Sequence, residues 1–205
     1  MKITDLKVFI VGNPPPGWGG RYFTFVKLTT DNGIIGIGEC YCATFGPKAM
    51  TAMIEDTCGR YVEGMDPFHI ESLWRKVYGS GYTGRPDVSL MGVLSGIEIA
   101  LWDIIGKSVG KPVYELLGGR VHEKLRSYTY IYPDVAKGQT DAIYWNAEAS
   151  AERAAHYLKL GFTAIKFDPA APYSSFDPRQ PSLESMELCA KFCNLIREAV
   201  GTKAD

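Results

Sequence analysis

The chain has 205 residues, 46% hydrophobic, 22% charged and 12% aromatic, and its 22 Lys+Arg against 23 Asp+Glu give a formal net charge of −1. That length supports one or two domains with a sizeable core, and so even a balance offers no basic face for nucleic acid and no acidic tail. No uninterrupted run of 18 apolar residues argues for a membrane span, residues 1–11 lack a signal-peptide pattern, and the five cysteines suit a reducing compartment. A soluble, cytoplasmic protein is expected.

Residues 2–11 alternate and are rich in Val and Ile, which predicts a strand, and the Pro/Gly run at 12–20 breaks it. Strands follow at 22–30 and 34–39, joined by Thr30-Asp31-Asn32-Gly33. Asn and Gly tolerate the positive φ of tight hairpin turns, so a three-stranded antiparallel meander is expected. Helical spacing covers 47–61. Asp66-Pro67 reads as the N-cap and first position of a second helix running through Ile70, Leu73, Trp74 and Val77. A Gly-rich loop at 79–86 leads into a long apolar helix over about 88–109. Its small-residue flank, Gly92, Ser95, Gly96 and Ala100, predicts the close approach of another helix. A short helix at 112–117 ends at Gly118-Gly119.

The pattern then changes to strand 125–132, helix 149–160, strand 162–167, a Pro-rich loop at 168–181, and a helix from Ser182 to about Val200. Strand, helix, strand, helix at this spacing is a βαβα unit and implies a parallel sheet. An α+β module over 1–122 is therefore followed by the opening of an α/β module over 123–205. Two parallel strands do not make a sheet buried on both faces, so the chain is expected to be truncated.

Three segments in register carry a resemblance: VKLTTDNGIIGIGE at 26–39, GIEIALWDIIGK at 96–107 with KPVYELLGG at 111–119, and Gly161-Phe162-Thr163-Ala164-Ile165-Lys166. Together they resemble the enolase superfamily, and within it the mandelate racemase / muconate lactonizing enzyme family. The resemblance implies an α+β capping domain followed by the first βα units of a (β/α)7β TIM-type barrel. It also implies chemistry that begins with loss of the proton α to a carboxylate, with Mg2+ stabilising the enediolate. The family's acidic metal ligands lie on its third to fifth barrel strands. They are expected beyond residue 205, with no metal ligand in this chain.

By the same resemblance Lys166 matches the first lysine of a K-x-K strand-end motif, but the third position is Asp168. That departure does not support a lysine base on this strand and fits an acid-sugar dehydratase better than a racemase or cycloisomerase. Lys166 and Asp168 are the candidate catalytic residues. Read without the resemblance, Lys166 is a solvated strand-end lysine and Asp168 an Asx-turn residue before Pro169; with it, Asp168 orients Lys166 or binds a sugar hydroxyl. Trp18, Arg21 and Phe45, in cap loops at 13–21 and 42–47, are the candidate substrate-binding residues. Trp offers apolar area to a sugar ring and Arg a fork for a carboxylate. Arg85 is read as structural or at a subunit contact, and Glu39 as structural at the domain junction.

Cys40/Cys42 and Cys189/Cys193 lack zinc-site spacing and are read as buried thiols. His69, His122 and His156 are scattered, Trp102 is read as core, and Asp103 as a structural polar contact. The expected function is that of the N-terminal portion of an aldonate or aldarate dehydratase, a hydro-lyase. The alternatives are a racemase, epimerase or cycloisomerase on the same scaffold, and a non-catalytic fragment. The chain alone is expected to be inactive. A sugar acid is the expected small-molecule partner and a homo-oligomer the expected assembly, with neither nucleic acid nor membrane as partner.

Overall fold

A computed structural model describes residues 1–17, 19–42, 45–80, 87–168 and 178–205. They form two compact units, Met1–Val121 and His122–Asp205.

In the first unit, β1 (Ile3–Gly12), β2 (Tyr22–Thr30) and β3 (Ile35–Cys40) form an antiparallel sheet in that order, with Val8 opposite Val26 and Val26 opposite Gly38. The predicted meander is present. On β2 the period of two is clean, with Thr24, Val26, Leu28 and Thr30 buried on one face. Gly33 sits at φ +84° in the β2–β3 turn and its N–H donates to Thr30 O at 3.0 Å.

The helices α1 (Pro47–Tyr61), α2 (Ile70–Tyr78), α3 (Val88–Val109) and the single turn α4 (Val113–Leu116) follow. The Asp66-Pro67 helix start is not observed, and α2 begins four residues after Asp66. The Asp66 carboxylate is spent on the Phe68 N–H at 3.1 Å, and its carbonyl on the His69 N–H at 3.0 Å, which closes a turn ahead of the helix. In α3, Asp87 accepts from the Ser89 and Leu90 N–H groups at 2.8 and 3.1 Å, and Gly110 ends the helix at φ +67°.

α3 is long and apolar enough to cross a membrane by length and composition, although no unbroken apolar run is present. Half of its residues are instead buried in the core of this unit, Val93, Leu94, Ile97, Leu101 and Ile104 among them. Its small-residue flank does not receive a helix, as expected from sequence, but strand β3. A Cβ on Gly36 would stand 2.0 Å from Ala100 O, and one on Gly38 would stand 1.9 Å from Gly96 O. Two glycines on the strand match the small residues on the helix, so backbone meets backbone. The far edge of β3 is capped by α3 as well: Asp103 accepts from the Ile37 N–H at 2.9 Å and pairs with Lys107 at 2.7 Å, and Lys107 donates to Ile35 O at 2.8 Å. Asp103 is thus the structural polar contact that its sequence position suggests, and Trp102 packs partly buried against the core.

In the second unit, β4 (Thr129–Tyr130) and β5 (Ile165–Lys166) pair in parallel, with Thr129 opposite Ile165 and Tyr130 opposite Lys166. Between them lie two 3-10 turns, Val135–Lys137 and Asp141–Trp145, and α5 (Ala147–Lys159); α6 (Leu183–Val200) follows β5. The parallel βα pattern is as read, but both strands are shorter than their apolar runs, because the ladder spans only two residue pairs. On the other edge of β5, the Asp205 backbone donates to Thr163 O at 3.0 Å and accepts from the Ile165 N–H at 2.8 Å. α5 and α6 enclose a core of Ile131, Ile143, Ala154, Phe192 and Ile196. Asn146 and Ser182 cap the two helices through their side chains.

Candidate active site

Residues two apart on a strand share a face, and register carries that face to the neighbouring strand. Tyr130 stands opposite Lys166 in the ladder, and Asp168 follows two residues on, just past the end of β5. The Tyr130 O–H donates to the Asp168 carboxylate. Lys166 makes no ion pair among the described residues. Its Nζ lies over the rings of Tyr130 and Tyr128, at 5.8 and 5.9 Å from their centroids, within cation–π range.

Asp168 is thus close to Lys166 in sequence but bonded to Tyr130, so a direct ion pair by which it would orient the lysine is not observed. The Asx turn proposed for Asp168 involves Pro169, outside the described residues. Burial pushes the Tyr130 phenol well above its ordinary range, and the hydrogen bond to Asp168 and the charge of that carboxylate add to the shift. Tyr144, edge-on to Tyr130 at 6.1 Å between centroids, is pushed up to about 12, by burial first and then by the charge of Asp141.

The sequence reading missed Tyr130. The alternation Tyr128-x-Tyr130-x-Tyr132 marks an aromatic face on that segment, but the register that sets Tyr130 opposite Lys166 is not written in either strand. The end of β4 is held from behind by Arg153, which is buried. Its Nε donates to Tyr132 O at 2.9 Å, Nη1 lies 3.4 Å from the Asp134 carboxylate, and the guanidinium covers the Tyr157 ring.

In the first unit, Arg21 and Phe45 line one cleft of about 470 Å³, together with Thr24, Glu39, Tyr41 and Cys42. The structure brings these two predicted contacts to the same opening. Phe45 is half exposed, and its carbonyl accepts from the Tyr22 O–H at 2.9 Å, which ties the second loop to β2. The Thr24 hydroxyl is buried among the cleft residues with no hydrogen-bond partner among the described residues. Trp18 and Arg85 lie outside the described residues.

The buried thiols of Cys40 and Cys58 are both pushed up to about 12, chiefly by burial, which makes them inert at neutral pH. Of the four cysteines read as buried only Cys40 is so: Cys193 is exposed on α6, and Cys42 and Cys189 are partly buried. Among the described residues no group of three or more His, Cys, Asp or Glu side chains is placed to hold a metal ion. These residues do not by themselves fit an Mg2+ site.

Residues 19–118 match the model of the mandelate racemase / muconate lactonizing enzyme N-terminal domain. A crystal structure assigned to that family, from Labrenzia alexandrii DFL-11, is 58% identical over the whole of this chain with a TM-score of 0.91, and 53% of its own length is covered. Residues 19–118 belong to the mandelate racemase / muconate lactonizing enzyme family. The meander and its helices are this family's N-terminal capping domain, and Arg21 and Phe45 lie inside the matched stretch. The family structure from Sulfitobacter sp. is 49% identical with a TM-score of 0.93, over all of this chain and 52% of that one.

Among curated relatives, D-galactonate dehydratase from Xanthomonas euvesicatoria pv. vesicatoria (strain 85-10) is 33% identical over all 205 residues of this chain and 47% of its own length. D-galactonate dehydratase from Ralstonia pickettii (strain 12J) is 41% identical over 135 residues, 65% of this chain and 32% of its own length. The chain spans about half the length of the first of these and is similar in sequence to dehydratases of sugar acids.

Proposed function

We infer that this chain is the capping domain and the first βα units of an acid-sugar dehydratase. The reaction removes the proton α to the carboxylate of an aldonate or aldarate and expels a β-hydroxyl as water, giving a 2-keto-3-deoxy acid. The observation that carries this reading is Lys166, an ammonium at the end of β5 with no carboxylate partner among the described residues. The likeness to D-galactonate dehydratases over the whole chain supports it.

An α-proton beside a carboxylate is weakly acidic, because its loss puts a second negative charge on the same group. A fixed cation already in place lowers that cost more than water does. Lys166 supplies such a cation. Asp168, an acceptor held at one oxygen by Tyr130, keeps lone pairs free for a sugar hydroxyl. Within the cap unit itself, Arg21 offers a fork for a carboxylate or hydroxyls and Phe45 an apolar wall of the same cleft. With Asp168 where a second lysine would stand, the base is assigned to a residue outside these 205. The same holds for the Mg2+ ligands, so the isolated chain is not expected to turn over. The reading includes a cytoplasmic homo-oligomer.

The test is a screen of the protein that carries these residues against aldonates and aldarates, trapping keto products with semicarbazide. A 2-keto product from at least one sugar acid, lost in Lys166→Met, is expected. No keto product from any aldonate or aldarate overturns the reading.

A further inference from the structure

An aspartate and a lysine two residues apart on one strand face are natural ion-pair partners, since their Cα atoms are only about 6.6 Å apart. Lys166 ends β5 and Asp168 lies two residues beyond it, a comparable separation in sequence, and the two do not pair. The Asp168 carboxylate is bonded across the ladder to the Tyr130 O–H, and Lys166 rests on the faces of Tyr128 and Tyr130. The arrangement is specific to register. Tyr130 is the residue directly opposite Lys166, so its ring reaches the ammonium while its hydroxyl extends past to Asp168. One side chain therefore contacts both charges.

We propose that Tyr130 is a positioning residue that turns Asp168 away from Lys166 and so keeps the ammonium open to a substrate anion. The proposal deepens, and for its functional meaning rests on, the reading of Lys166 as the cation facing the sugar-acid carboxylate. Its physical content is independent of that reading. A carboxylate released from the phenol donor is free to turn toward a nearby cation, because opposite charges attract even at an exposed site. Without the Tyr130 hydroxyl the expected cation is Lys166, two residues away in sequence, whose ammonium is then occupied by the protein itself. The tyrosine–aspartate bond works as a latch holding the dyad apart.

The test needs no substrate. The protein is treated with limiting acetic anhydride at mildly alkaline pH, and the acetylation rate of Lys166 relative to the other lysines is read by peptide mass spectrometry. An ammonium paired to a carboxylate gives up its proton less readily and acylates more slowly. Tyr130→Phe keeps both ring faces under Lys166 and removes only the hydroxyl. Relative to wild type it is expected to slow Lys166 by about three- to tenfold, the size of an opposite charge arriving at a partly exposed site. Tyr130→Phe with Asp168→Asn is expected to restore the wild-type rate, since the incoming carboxylate is gone. An unchanged or faster rate in Tyr130→Phe, or a slowing that persists in the double variant, overturns the proposal. The other lysines report in the same digest that the variants fold. Failure of the dehydratase reading registers in the keto-acid screen and leaves this measurement unaffected.

Discussion

Gly38 of β3 lies so close to Gly96 of α3 that a Cβ on Gly38 would stand 1.9 Å from the Gly96 carbonyl oxygen. Backbone on both sides of the contact leaves nothing flexible to give way. Gly38→Ala is therefore expected to destabilise the capping unit by about 3 kcal/mol, the upper range of overpacking penalties. Gly59 is the control. It sits in α1, and a Cβ there would meet nothing within 4 Å, so Gly59→Ala is expected to gain about 0.5–1 kcal/mol from helix propensity. Urea unfolding of the two variants measures both, and equal effects would show that the close approach is not what fixes β3 on α3.

The second unit depends on a buried cation in a comparable way. Arg153 ties the backbone after β4 to α5 through Tyr132 O and Asp134. Arg153→Met keeps most of the volume but removes the donor to Tyr132 O and leaves the Asp134 carboxylate, among the described residues, only the exposed Lys137 at 3.5 Å, at a cost of about 1–3 kcal/mol. Arg153→Lys is expected to recover only part of that, because one ammonium cannot serve both acceptors with the spacing of the planar fork. Thermal unfolding followed by near-ultraviolet circular dichroism, where the surrounding tyrosines report, distinguishes the three proteins.

Much of the capping unit was legible in the sequence because its signals are local. Pro47 at the start of α1, Gly110 after α3 and the Asp-Asn-Gly turn each act within a few residues, and those boundaries are observed where they were read. Asp66 had the right residue type for an N-cap, but its carboxylate found the Phe68 N–H first. The small flank of α3 was visible, while its partner was not. A stripe of small residues states only that something comes close, and the glycines of β3 that meet it are some 60 residues away in sequence.

The candidate site follows the same division. Lys166 and Asp168 could be named from the resemblance to a family strand-end motif, and Arg21 and Phe45 from the resemblance to two family cap loops, each within its own segment. Tyr130 could not, since its role depends on which residue the parallel ladder sets opposite Lys166, and register is not written in either strand alone. The bond to Asp168 spans 38 positions.

Alkaline pH is expected to weaken the capping unit through Cys40 and Cys58. Burial raises each thiol from 9.0 to about 12 in the folded state. The neutral thiol is the form the fold accommodates, so this stability is fully present below the unfolded value near 9 and is lost as pH rises toward 12. Near pH 10.5 the unfolded thiolate has formed and the folded one has not, which costs about 2 kcal/mol per cysteine relative to neutral pH. Cys58→Ala should show a shallower fall in unfolding free energy between pH 8 and that value than wild type. Parallel falls would mean that the Cys58 thiol ionises as readily folded as unfolded.

Tyr130 offers a second titration, and one that bears on the dyad. Its phenol is raised by burial first, then by donating to Asp168, then by that carboxylate's charge. Asp168→Asn leaves the burial and removes the charge, so Tyr130 should ionise at a lower pH in this variant, though still above an exposed tyrosine. Ultraviolet difference absorbance of tyrosinate formation, with Tyr130→Phe to identify the transition, resolves the shift. The sign distinguishes two arrangements. If Asp168 were bound to Lys166, its replacement would leave the late tyrosine where it is, and Lys166 would not be the open cation on which the dehydratase reading turns. A downward shift confined to the transition that Tyr130→Phe abolishes is the outcome that keeps carboxylate and ammonium apart.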